Sequence, residues 1–526
     1  MTFQTPAETD RRLFDLQNRF LSELPELCLE WQAAPVPEPN LVVLNESLAR
    51  ELGLEPDELN SADGVAIFSG NRVPDGSIPV ALGYAGHQFG NYSPRLGDGR
   101  ALLLGELTPP APGPGAADTG PDAAAGSDAP TGLVDVHLKG SGRTPFARGG
   151  DGKATIGPML REYIVSEALN SLGVATTRSL AVVTTGEMIH RDGPEPGAVL
   201  TRIAASHIRV GTFEYAVRLG GSDLVRRLAD HAIERHYPHL GRAEDSVNGR
   251  YVGLLSAVVD AQAKLVADWM LVGFIHGVMN TDNMTISGEG IDYGPCAFMD
   301  RYDPSAVFSS IDHAGRYAYG NQAPIAAWNL ARLAETMLDL LSGDSSEAVA
   351  IATEVVNGFP ARFNHHWRSA MLRKLGLVDQ PIDDDLLLDD LPVAMHEAGS
   401  DWTGTYRNLA AGLRSDRSEE GPRFVTMDGP SESLENWTRR WRRQLQREGR
   451  DLREVADQMD SCNPIYIPRN HLVDEALRAA TLGDVAPFRR LVEVLRDPFV
   501  ERAGLDRYAE AAPTEFNAGF QTFCGT

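Results

Sequence analysis

Residues 276–292 read His-Gly-Val-Met-Asn-Thr-Asp-Asn-Met-Thr-Ile-Ser-Gly-Glu-Gly-Ile-Asp and hold two carboxylates ten residues apart, Asp282 and Asp292. Asn283 directly follows the first, and residues 284–290 predict a short strand pair with a turn at 287–290. Such a pair would bring both carboxylates to one end. Because Mg²⁺ prefers oxygen ligands, usually one or two carboxylates plus substrate phosphates, the stretch indicates a metal–nucleotide site. The alternative is a polar hairpin in which Asp and Asn serve only turn geometry.

Length and composition limit the function classes. The 526 residues suffice for two or three domains or for one large two-lobed enzyme, and 42% of them are hydrophobic, as is usual for globular proteins. The 48 basic and 73 acidic side chains leave a net charge of −25, which argues against a nucleic-acid partner and against binding to anionic membranes.

The cysteines and the hydrophobic segments predict a cytoplasmic protein. Four scattered cysteines form no Cys-x-x-Cys pair, so no zinc site is indicated, and their low number fits a reducing compartment. The N-terminus shows no secretory signal. The longest apolar segment, 254–279, contains charged side chains and therefore predicts a buried helix rather than a membrane span.

A glycine-rich turn, Leu-Gly-Asp-Gly-Arg at 96–100, precedes an apolar strand at 101–107. Gly97 and Gly99 would let backbone N–H groups approach phosphate oxygens, and Arg100 would add a guanidinium. An ordinary Asp-Gly hairpin turn is the other interpretation. Residues 108–131 are rich in Pro, Gly, Ala and Asp, which predicts a long flexible insertion between two antiparallel strands, 101–107 and 133–138.

Lys139 ends the second of these strands and is followed by a glycine-rich turn and by the permissive loop 149–153, which contains Asp151 and Gly152. A helix is predicted over 159–172, with Glu162 outside its apolar stripe. Glu162 is then either a solvated surface carboxylate or the partner of Lys139. A strand lysine paired with a glutamate of the next helix is the arrangement that protein kinases use to hold a nucleotide.

The remaining pattern predicts an α+β protein with a kinase-like two-lobed fold, a small β-rich part followed by a larger helical part. Strands 182–185 and 198–203 form a predicted hairpin. Arg202 in its second strand and Arg209 beyond it flank residues 206–208 and would bind phosphate or form surface pairs. Helices are predicted at 11–24, 223–234, 256–276, 324–341, 346–357 and 365–375. The predicted divisions are an N-terminal extension (1–80), an N-lobe (81–210), a C-lobe (211–430) and a C-terminal helical extension with a cysteine tail (431–526).

The order of these parts is that of a kinase nucleotide site, but the motifs depart from it. The chain has no His-Arg-Asp-Leu and no Asp-Phe-Gly, and Asn283 follows Asp282 at once instead of five residues later. The chain instead resembles the selenoprotein O family of pseudokinase-fold protein adenylyltransferases. The resemblance covers nearly all of it and rests on YAGHQFG (84–90), LGDGR (96–100), LKGSGRTPF (138–146), GGDGK (149–153), REY (161–163), HGVMNTDNM (276–284) and IDYGP (291–295).

The resemblance implies a kinase-like enzyme that binds ATP in a flipped orientation and transfers AMP to Ser, Thr or Tyr hydroxyls of proteins. By that resemblance Asp282 is the proton acceptor, Asn283 and Asp292 hold Mg²⁺ or Mn²⁺, and Glu162 pairs with Lys139. The implied nucleotide contacts are Gly97, Gly99, Arg100, Lys139, Asp151, Gly152, Arg202, Arg209 and Asp292. Three alternatives stay open: UMP transfer from UTP with Mn²⁺, kinase-type phosphotransfer, and a nucleotide-binding pseudokinase scaffold.

The resemblance also implies a redox role for Cys524, which stands third from the end, although Gly525 and Thr526 replace the two serines found in many relatives. The stretch that carries the partner cysteine in some relatives is Phe-Ser-Ser here, at 308–310, so Cys296 is the nearest alternative partner. The other interpretation of Cys524 is a free exposed thiol.

Overall fold

The computed structural model describes residues 13–110, 132–191, 193–242, 247–378, 386–414 and 431–523. These form a mixed α+β structure, which confirms the predicted class. The strands are β1 Leu16–Gln17, β2 Cys28–Glu30, β3 Asn40–Leu44, β4 Val80–Leu82, β5 Gly86–Gln88, β6 Asn91–Ser93, β7 Ala101–Leu107, β8 Val134–Lys139, β9 Ala154–Thr155, β10 Arg178–His190, β11 Pro194–Ala204, β12 Phe274–Ile275 and β13 Ala297–Phe298.

The helices lie mainly in the second half of the chain. In order they are α1 Arg19–Glu23, α2 Glu46–Glu51, α3 Pro56–Leu59, α4 Ala62–Ser69, α5 Ile156–Ser171, α6 Val210–His236, α7 Val247–Leu271, α8 Gln322–Leu341, α9 Ser345–Asn357, α10 Phe359–Lys374, α11 Leu387–Ala398, α12 Trp402–Arg414, α13 Glu432–Glu448, α14 Leu452–Cys462, α15 Asn470–Thr481, α16 Ala486–Leu495, α17 Asp506–Ala509 and α18 Thr514–Gly519. Short 3₁₀ turns occupy Pro25–Leu27, Pro238–Arg242, Thr281–Asn283 and Tyr319–Asn321.

One antiparallel sheet carries nine of the strands that precede α6, and β5 and β6 form a separate hairpin. Its order is β2-β4-β7-β8-β11-β10-β3, with β1 paired to β7 and β9 to β11. The predicted antiparallel pair of 101–107 and 133–138 is confirmed, since Ala101 lies opposite Lys139 and Leu107 opposite Val134. Most of the low-complexity insertion, 111–131, lies outside the described residues. The predicted hairpin of 182–185 and 198–203 is also confirmed, with longer strands than expected.

The prediction of a helix over 11–24 is wrong. Leu16 pairs instead with Leu107 of β7, and only the five-residue α1 is helical in the described part of this range. The reason lies in distant residues: β7 pairs with residues 16–17, and the buried carboxylate of Glu106 in β7 accepts hydrogen bonds from the backbone N–H groups of Arg19 (2.9 Å) and Phe20 (2.7 Å), so that the helix begins only at Arg19. This tertiary contact outweighs the helical spacing of the apolar side chains.

The predicted helices at 324–341, 346–357 and 365–375 correspond to α8, α9 and α10, and that at 223–234 lies within the longer α6. The predicted helix 256–276 ends early, because α7 stops at Leu271 and Gly273 adopts a φ of 73° against the ring of Trp402. Residues 274–275 then pair with 297–298. This turn starts the segment that carries both aspartates.

Three hydrophobic cores pack the helices of the chain together. The largest core joins α6, α7 and α8 to residues 274–298. A second core joins α10–α14, and a third packs α15 and α16 against α5, the helix that carries Glu162. Within the described ranges, every helix falls short of the length or apolar character that crossing a bilayer would require.

Candidate active site

A cavity of about 410 Å³ opens between the sheet and the segment that follows α7. This volume is in the range of small-molecule sites. Twelve of the residues singled out from the sequence line it: Gly97, Gly99, Arg100, Lys139, Asp151, Gly152, Glu162, Arg202, Arg209, Asp282, Asn283 and Asp292. Cys524, the remaining one, lies outside the described residues.

The sheet places the cationic side chains. Lys139 sits at the end of β8 between Ala101 of β7 and Leu200 of β11, so it borders the turn that contains Gly97, Gly99 and Arg100. Arg202 lies two residues beyond Leu200 on β11 and therefore on the same face. Helix α5 crosses this face and brings Glu162 to Lys139, whose ammonium group contacts the Glu162 carboxylate. Glu162 is buried, which excludes a solvated surface role.

Three cations converge on Asp292. Its Oδ1 accepts from Lys139 Nζ at 2.7 Å and from Arg202 Nη1 at 2.7 Å, and its Oδ2 accepts from Arg209 Nη1 at 3.0 Å. Burial opposes ionisation, but the charges of Lys139, Arg202 and Arg209 outweigh it and hold the pKa of Asp292 well below its ordinary value. Both arginines are about 2% exposed, so they are not surface pairs.

The strand pair predicted for residues 284–290 is absent from the described structure. Thr285 instead forms an isolated bridge with Arg209, and Gly290 forms one with Thr176. The two aspartates nevertheless meet in one cavity, because Asp282 lies in the 3₁₀ turn Thr281–Asn283 and Asp292 takes a left-handed φ of 65°. The polar-hairpin interpretation of this stretch is therefore wrong, since both carboxylates are engaged outside it.

Asp282 is buried with one carboxylate oxygen unpartnered. Its Oδ2 accepts a hydrogen bond from Gln88 Nε2 at 3.3 Å, its backbone carbonyl accepts one from Arg209 Nη1 at 2.7 Å, and its Oδ1 has no partner among the described residues. Burial raises the pKa of Asp282 to about 6, against the opposing effect of Arg209. A carboxylate of this kind is ready to accept a proton from a group that enters the cavity.

The donor set fits a hard divalent cation. Asn283 lines the cavity with Asp282 and Asp292 and donates through Nδ2 to the carbonyl of Val278 at 2.9 Å, which leaves its side-chain oxygen available to a cation. Within the described ranges no group of three His, Cys, Asp or Glu side chains could hold a metal ion. That is compatible with Mg²⁺, which takes one or two carboxylates and completes its shell with phosphates and water.

Asp151 and Gly152 line the cavity from its outer side. The Asp151 carboxylate is bound by Arg191 through both oxygens at 2.9 Å and accepts from the backbone N–H of Lys153 at 3.0 Å. Gly152 adopts a φ of 70°, and a Cβ there would lie 2.3 Å from the backbone of Gly142. The loop 149–153 is therefore held against the turn that follows Lys139.

A model of the family described as "Protein adenylyltransferase SelO" matches residues 13–496. The chain belongs to this family. It is 53% identical over 521 residues to the "Protein nucleotidyltransferase YdiU" of Rhodococcus jostii, and the matched residues make up 98% of this chain and 96% of that protein. The proteins of the same name from Cereibacter sphaeroides and Mycolicibacterium smegmatis are 52% and 51% identical, over 98% and 97% of this chain and 100% and 98% of theirs. The chain is therefore a nucleotidyltransferase, and the resemblance to the selenoprotein O family is confirmed.

The β5–β6 hairpin, residues 86–93, covers Asp282 in this SelO-family chain. The sequence patterns did not indicate this role. The backbone N–H of His87 donates to Thr281 Oγ1 at 2.7 Å, and that of Phe89 donates to Asn280 Oδ1 at 3.1 Å. Gln88 supplies the hydrogen bond to Asp282. The signal was present in the sequence, since the hairpin begins within the quoted motif at 84–90.

A buried histidine stack behind the arginines was also missed. The rings of His137 and His207 lie 4.1 Å apart, and each imidazole bonds a carboxylate, His137 to Asp98 at 2.9 Å and His207 to Asp135 at 2.8 Å. Burial lowers the pKa of both imidazoles, that of His207 to about 3. The Asp98 side chain lies inside the quoted motif at 96–100, and its Oδ1 is 3.9 Å from an Arg209 nitrogen.

The structure tests part of the prediction about the cysteines. Cys296 is buried and free, and burial raises the pKa of its thiol to about 12, which disfavours the reactive thiolate. Thr522 forms a parallel bridge with Ser309, so the end of the described chain runs along the cysteine-free stretch 308–310 of this SelO-family protein. The redox role of Cys524 stays a prediction.

Gly86 tests how tightly the hairpin covers Asp282. A Cβ at this position would lie 2.5 Å from Asp282 Oδ1 and 2.9 Å from the Leu96 side chain. We expect Gly86→Ala to displace the carboxylate and to lower the rate of nucleotidyl transfer by roughly a hundredfold, the effect of a misplacement of about 1 Å. Initial rates with ATP at saturation measure it, and Gly343→Ala, between α8 and α9, is the control, since a Cβ there would meet no atom of the described residues within 4 Å. An unchanged rate would show that the hairpin does not constrain Asp282.

Proposed function

We propose that this chain transfers AMP from ATP to Ser, Thr or Tyr hydroxyls of proteins and releases pyrophosphate. One observation carries the proposal: Lys139, Arg202 and Arg209 converge on Asp292 in the cavity where Asp282 presents an unpartnered buried oxygen. A cluster of three cations is suited to a polyphosphate, and a carboxylate with a free oxygen is suited to a hydroxyl. The three cations and the carboxylate lie in the same cavity, as transfer from a nucleotide to a hydroxyl requires.

The cations would bind the β- and γ-phosphates. Arg202 and Arg209 offer planar guanidinium groups that match phosphate oxygens, and the buried setting strengthens each interaction. In the transfer step negative charge grows on the departing pyrophosphate. Side chains already held in place by the sheet neutralise that charge without reorganising, which is the main contribution an enzyme makes to this type of reaction.

Asp282 would accept the proton of the acceptor hydroxyl. The hydroxyl oxygen forms a bond to the α-phosphorus, the bond between the α-phosphorus and the α–β bridging oxygen breaks, and the electron pair leaves with pyrophosphate. The proton passes to Asp282 Oδ1, the oxygen that has no partner in the described structure. Gln88 holds the other oxygen of this carboxylate and so fixes its direction.

Asn283 and Asp292 would hold Mg²⁺ or Mn²⁺ together with the phosphates. The bound cation would neutralise charge on the phosphate oxygens. For Asp292 to act as a ligand, the three cations must pass from its carboxylate to the phosphates. After this move each cation still has an anionic oxygen as its partner.

We also propose a cytoplasmic location. For the fold, we propose a kinase-like arrangement with the predicted divisions at 81–210 and 211–430. The sheet strands end with β11 at Ala204, and from α6 at Val210 onward the chain is mainly helical. The cavity lies where these two parts meet, as a nucleotide cleft between lobes would. The C-terminal helices α15 and α16 add an extension that packs on α5.

The test is which part of the nucleotide moves. With ATP labelled at the α-phosphate, we expect label in protein acceptors and mass spectra that show an added AMP. Asp282→Asn should lower that transfer by roughly 10²–10⁴-fold, the usual contribution of a general base, and leave ATP binding intact. Exposed Asp223→Asn serves as the matched control, since Asp223 forms an ion pair with the neighbouring Arg226 and with no other of the described residues.

The rival functions give different results in the same assay. Label from γ-labelled ATP in the acceptor would indicate a phosphotransferase, and label from α-labelled UTP with Mn²⁺ in preference to ATP would indicate UMP transfer. Binding of ATP without any transfer would indicate a scaffold. Each of these results would contradict the proposed reaction.

A further inference from the structure

A cluster of arginine and aromatic side chains lies on the outer side of the β5–β6 hairpin. Trp328 of α8 is half-buried between two guanidinium groups, those of Arg316 at 5.0 Å and Arg332 at 4.9 Å from its ring centre. The imidazole of His87 meets the Trp328 ring edge-on at 5.3 Å and lies 5.0 Å from the ring of Tyr92. Tyr92 is 47% exposed. We refer to His87, Tyr92, Arg316, Trp328 and Arg332 as the arginine–tryptophan patch.

The hairpin connects this patch to Asp282. Gln88 donates to the Asp282 carboxylate from the cavity side of the hairpin. At the hairpin turn, Gly90 lies against the Arg316 guanidinium, where a Cβ would come within 3.5 Å of the Arg316 Cζ atom. The hydroxyl of Tyr317, the next residue, accepts from the backbone N–H of Phe89 at 3.1 Å. A chain whose side-chain hydroxyl reaches Asp282 therefore passes close to the arginine–tryptophan patch.

One guanidinium of the patch has no ion pair within the described residues. Arg332 is paired with Glu335 at 2.7 Å, but no carboxylate of the described residues lies within ion-pair distance of the Arg316 guanidinium, whose Nε also lacks a hydrogen-bond partner. Arg218 on α6 is exposed and has no ion pair in the described part of the chain. Its charge opposes the rise in the pKa of Tyr92 that burial and Glu214 cause, so it stands near the patch.

The nearby carboxylates are already occupied. Glu214 accepts from Thr281 Oγ1 at 2.7 Å and contacts His87 Nδ1 at 2.5 Å. Asp312 is buried and accepts from the backbone N–H groups of residues 316 and 317 at 2.9 and 2.7 Å. In a chain with a net charge of −25, Arg316 and Arg218 stand out as arginines that form no ion pair with the described residues. A cation that no carboxylate pairs with attracts an anionic partner over several ångströms.

We propose that the arginine–tryptophan patch binds an acidic segment of the acceptor protein, with Asp or Glu side chains next to the hydroxyl that is modified. This inference rests on the proposed function and adds to it the class of acceptor sequence. A carboxylate of the acceptor would pair with the Arg316 guanidinium, which the Trp328 ring holds in place. The aromatic rings of Trp328 and Tyr92 would cover the apolar part of the same segment.

The experiment compares matched acceptor peptides. Each carries one Ser, Thr or Tyr and is flanked by three Glu, three Gln or three Lys residues, and transfer from α-labelled ATP is measured at varied peptide concentration. For the unmodified chain we expect the Glu-flanked peptides to have a KM at least about tenfold below that of the Lys-flanked ones, a preference that weakens as salt is raised. Equal KM values for the three flanks would overturn the proposal.

Charge reversal at Arg316 locates the preference. We expect Arg316→Glu to raise the KM for Glu-flanked peptides at least about tenfold and to favour Lys-flanked ones, with the Kd for ATP unchanged. Arg316→Gln, which introduces no negative charge, should remove the preference without inverting it. Arg490→Glu on α16, where the side chain is 48% exposed, is the matched control and should leave the preference as it is. An unaltered preference in both Arg316 variants would overturn the proposal.

The assay separates this inference from the proposed reaction. If the chain labels itself or other proteins from α-labelled ATP but none of the peptides, the acidic-segment proposal fails and AMP transfer stands. If no acceptor of any kind takes up label while ATP binds, the proposed reaction fails and this inference fails with it.

Discussion

Replacing Asp292 with alanine is expected to abolish the labelling of proteins by α-labelled ATP. In the structure Asp292 is the shared partner of Lys139, Arg202 and Arg209, and in the proposed reaction it becomes a metal ligand while those cations move to the phosphates. Alanine removes both the ligand and the counter-ion that the three cations share. We expect a loss of transfer of at least about 10³-fold, since positioning and charge neutralisation supply most of the rate in this chemistry.

Binding and transfer should separate in this variant. Without Asp292 the three cations repel one another in a buried cavity, and removing one partner of a buried ion pair costs about 3–5 kcal/mol. The triphosphate of ATP restores a counter-charge at the same place. We therefore expect Asp292→Ala to be less stable without nucleotide, to gain more stability on adding ATP than the unmodified chain does, and to remain inactive.

The measurements are transfer of label, the Kd for ATP with and without Mg²⁺, and the denaturation midpoint with and without ATP. The matched control is Asp223→Ala, because Asp223 is 69% exposed in its side chain and pairs only with Arg226. That variant should keep transfer and stability close to those of the unmodified chain. Retained labelling by Asp292→Ala would remove Asp292 from the metal role.

The second large effect concerns stability and lies far from the cavity. Arg469, which is 1% exposed, joins Asp300 at 2.5 Å and both oxygens of Asp401 at 2.7 and 3.0 Å. It also donates to the carbonyl of Ala509 at 2.8 Å. One guanidinium thus ties the segment before α15 to the segment after β13, to the start of α12 and to α17.

We expect Arg469→Met to lower the free energy of unfolding by about 3–5 kcal/mol, because it leaves the carboxylates of Asp300 and Asp401 buried without their counter-ion. Urea denaturation followed by tryptophan fluorescence measures the change. The control on the neighbouring helix α15 is Arg478→Met, whose side chain is 78% exposed and pairs only with Asp474, and its effect should stay below about 1 kcal/mol. A similar small change for both variants would mean that the buried network contributes little.

A double variant sharpens this second prediction. If the cost comes from unpaired buried carboxylates, converting Asp401 to Asn in the Arg469→Met background should recover part of the lost stability. Additive losses would instead indicate that Arg469 acts through packing rather than charge. The comparison uses the same denaturation measurement for all four chains.

The sequence predicted the chemical groups of the cavity well. Lys139, Glu162, Asp282 and Asp292 all line it, and the two predicted antiparallel pairs within the sheet are present. Strand alternation and helical spacing are local signals, so they place elements and the side chains at their ends. The order of motifs along the chain then identified the family, which the comparison confirmed.

Errors arose where a distant residue decides the local structure. Residues 11–24 have the spacing of a helix, but residues 16–17 pair with β7 instead. Residues 285 and 290 bridge to Arg209 and Thr176 instead of to each other. The hairpin over Asp282 was missed for the same reason, since its contacts with 280–282 span more than 190 residues of sequence.

The sequence by itself determined which acids, bases and cations this protein has, and in what order they follow the strands and helices. Only the tertiary structure decided that Asp292 faces three cations at once. It also decided that, among the described residues, Asp282 keeps an oxygen without a partner and Arg316 has no counter-ion. The physical reason is that charge pairing and burial depend on distances through space. Lys139 and Asp292 are 153 residues apart in the chain and 2.7 Å apart in the fold.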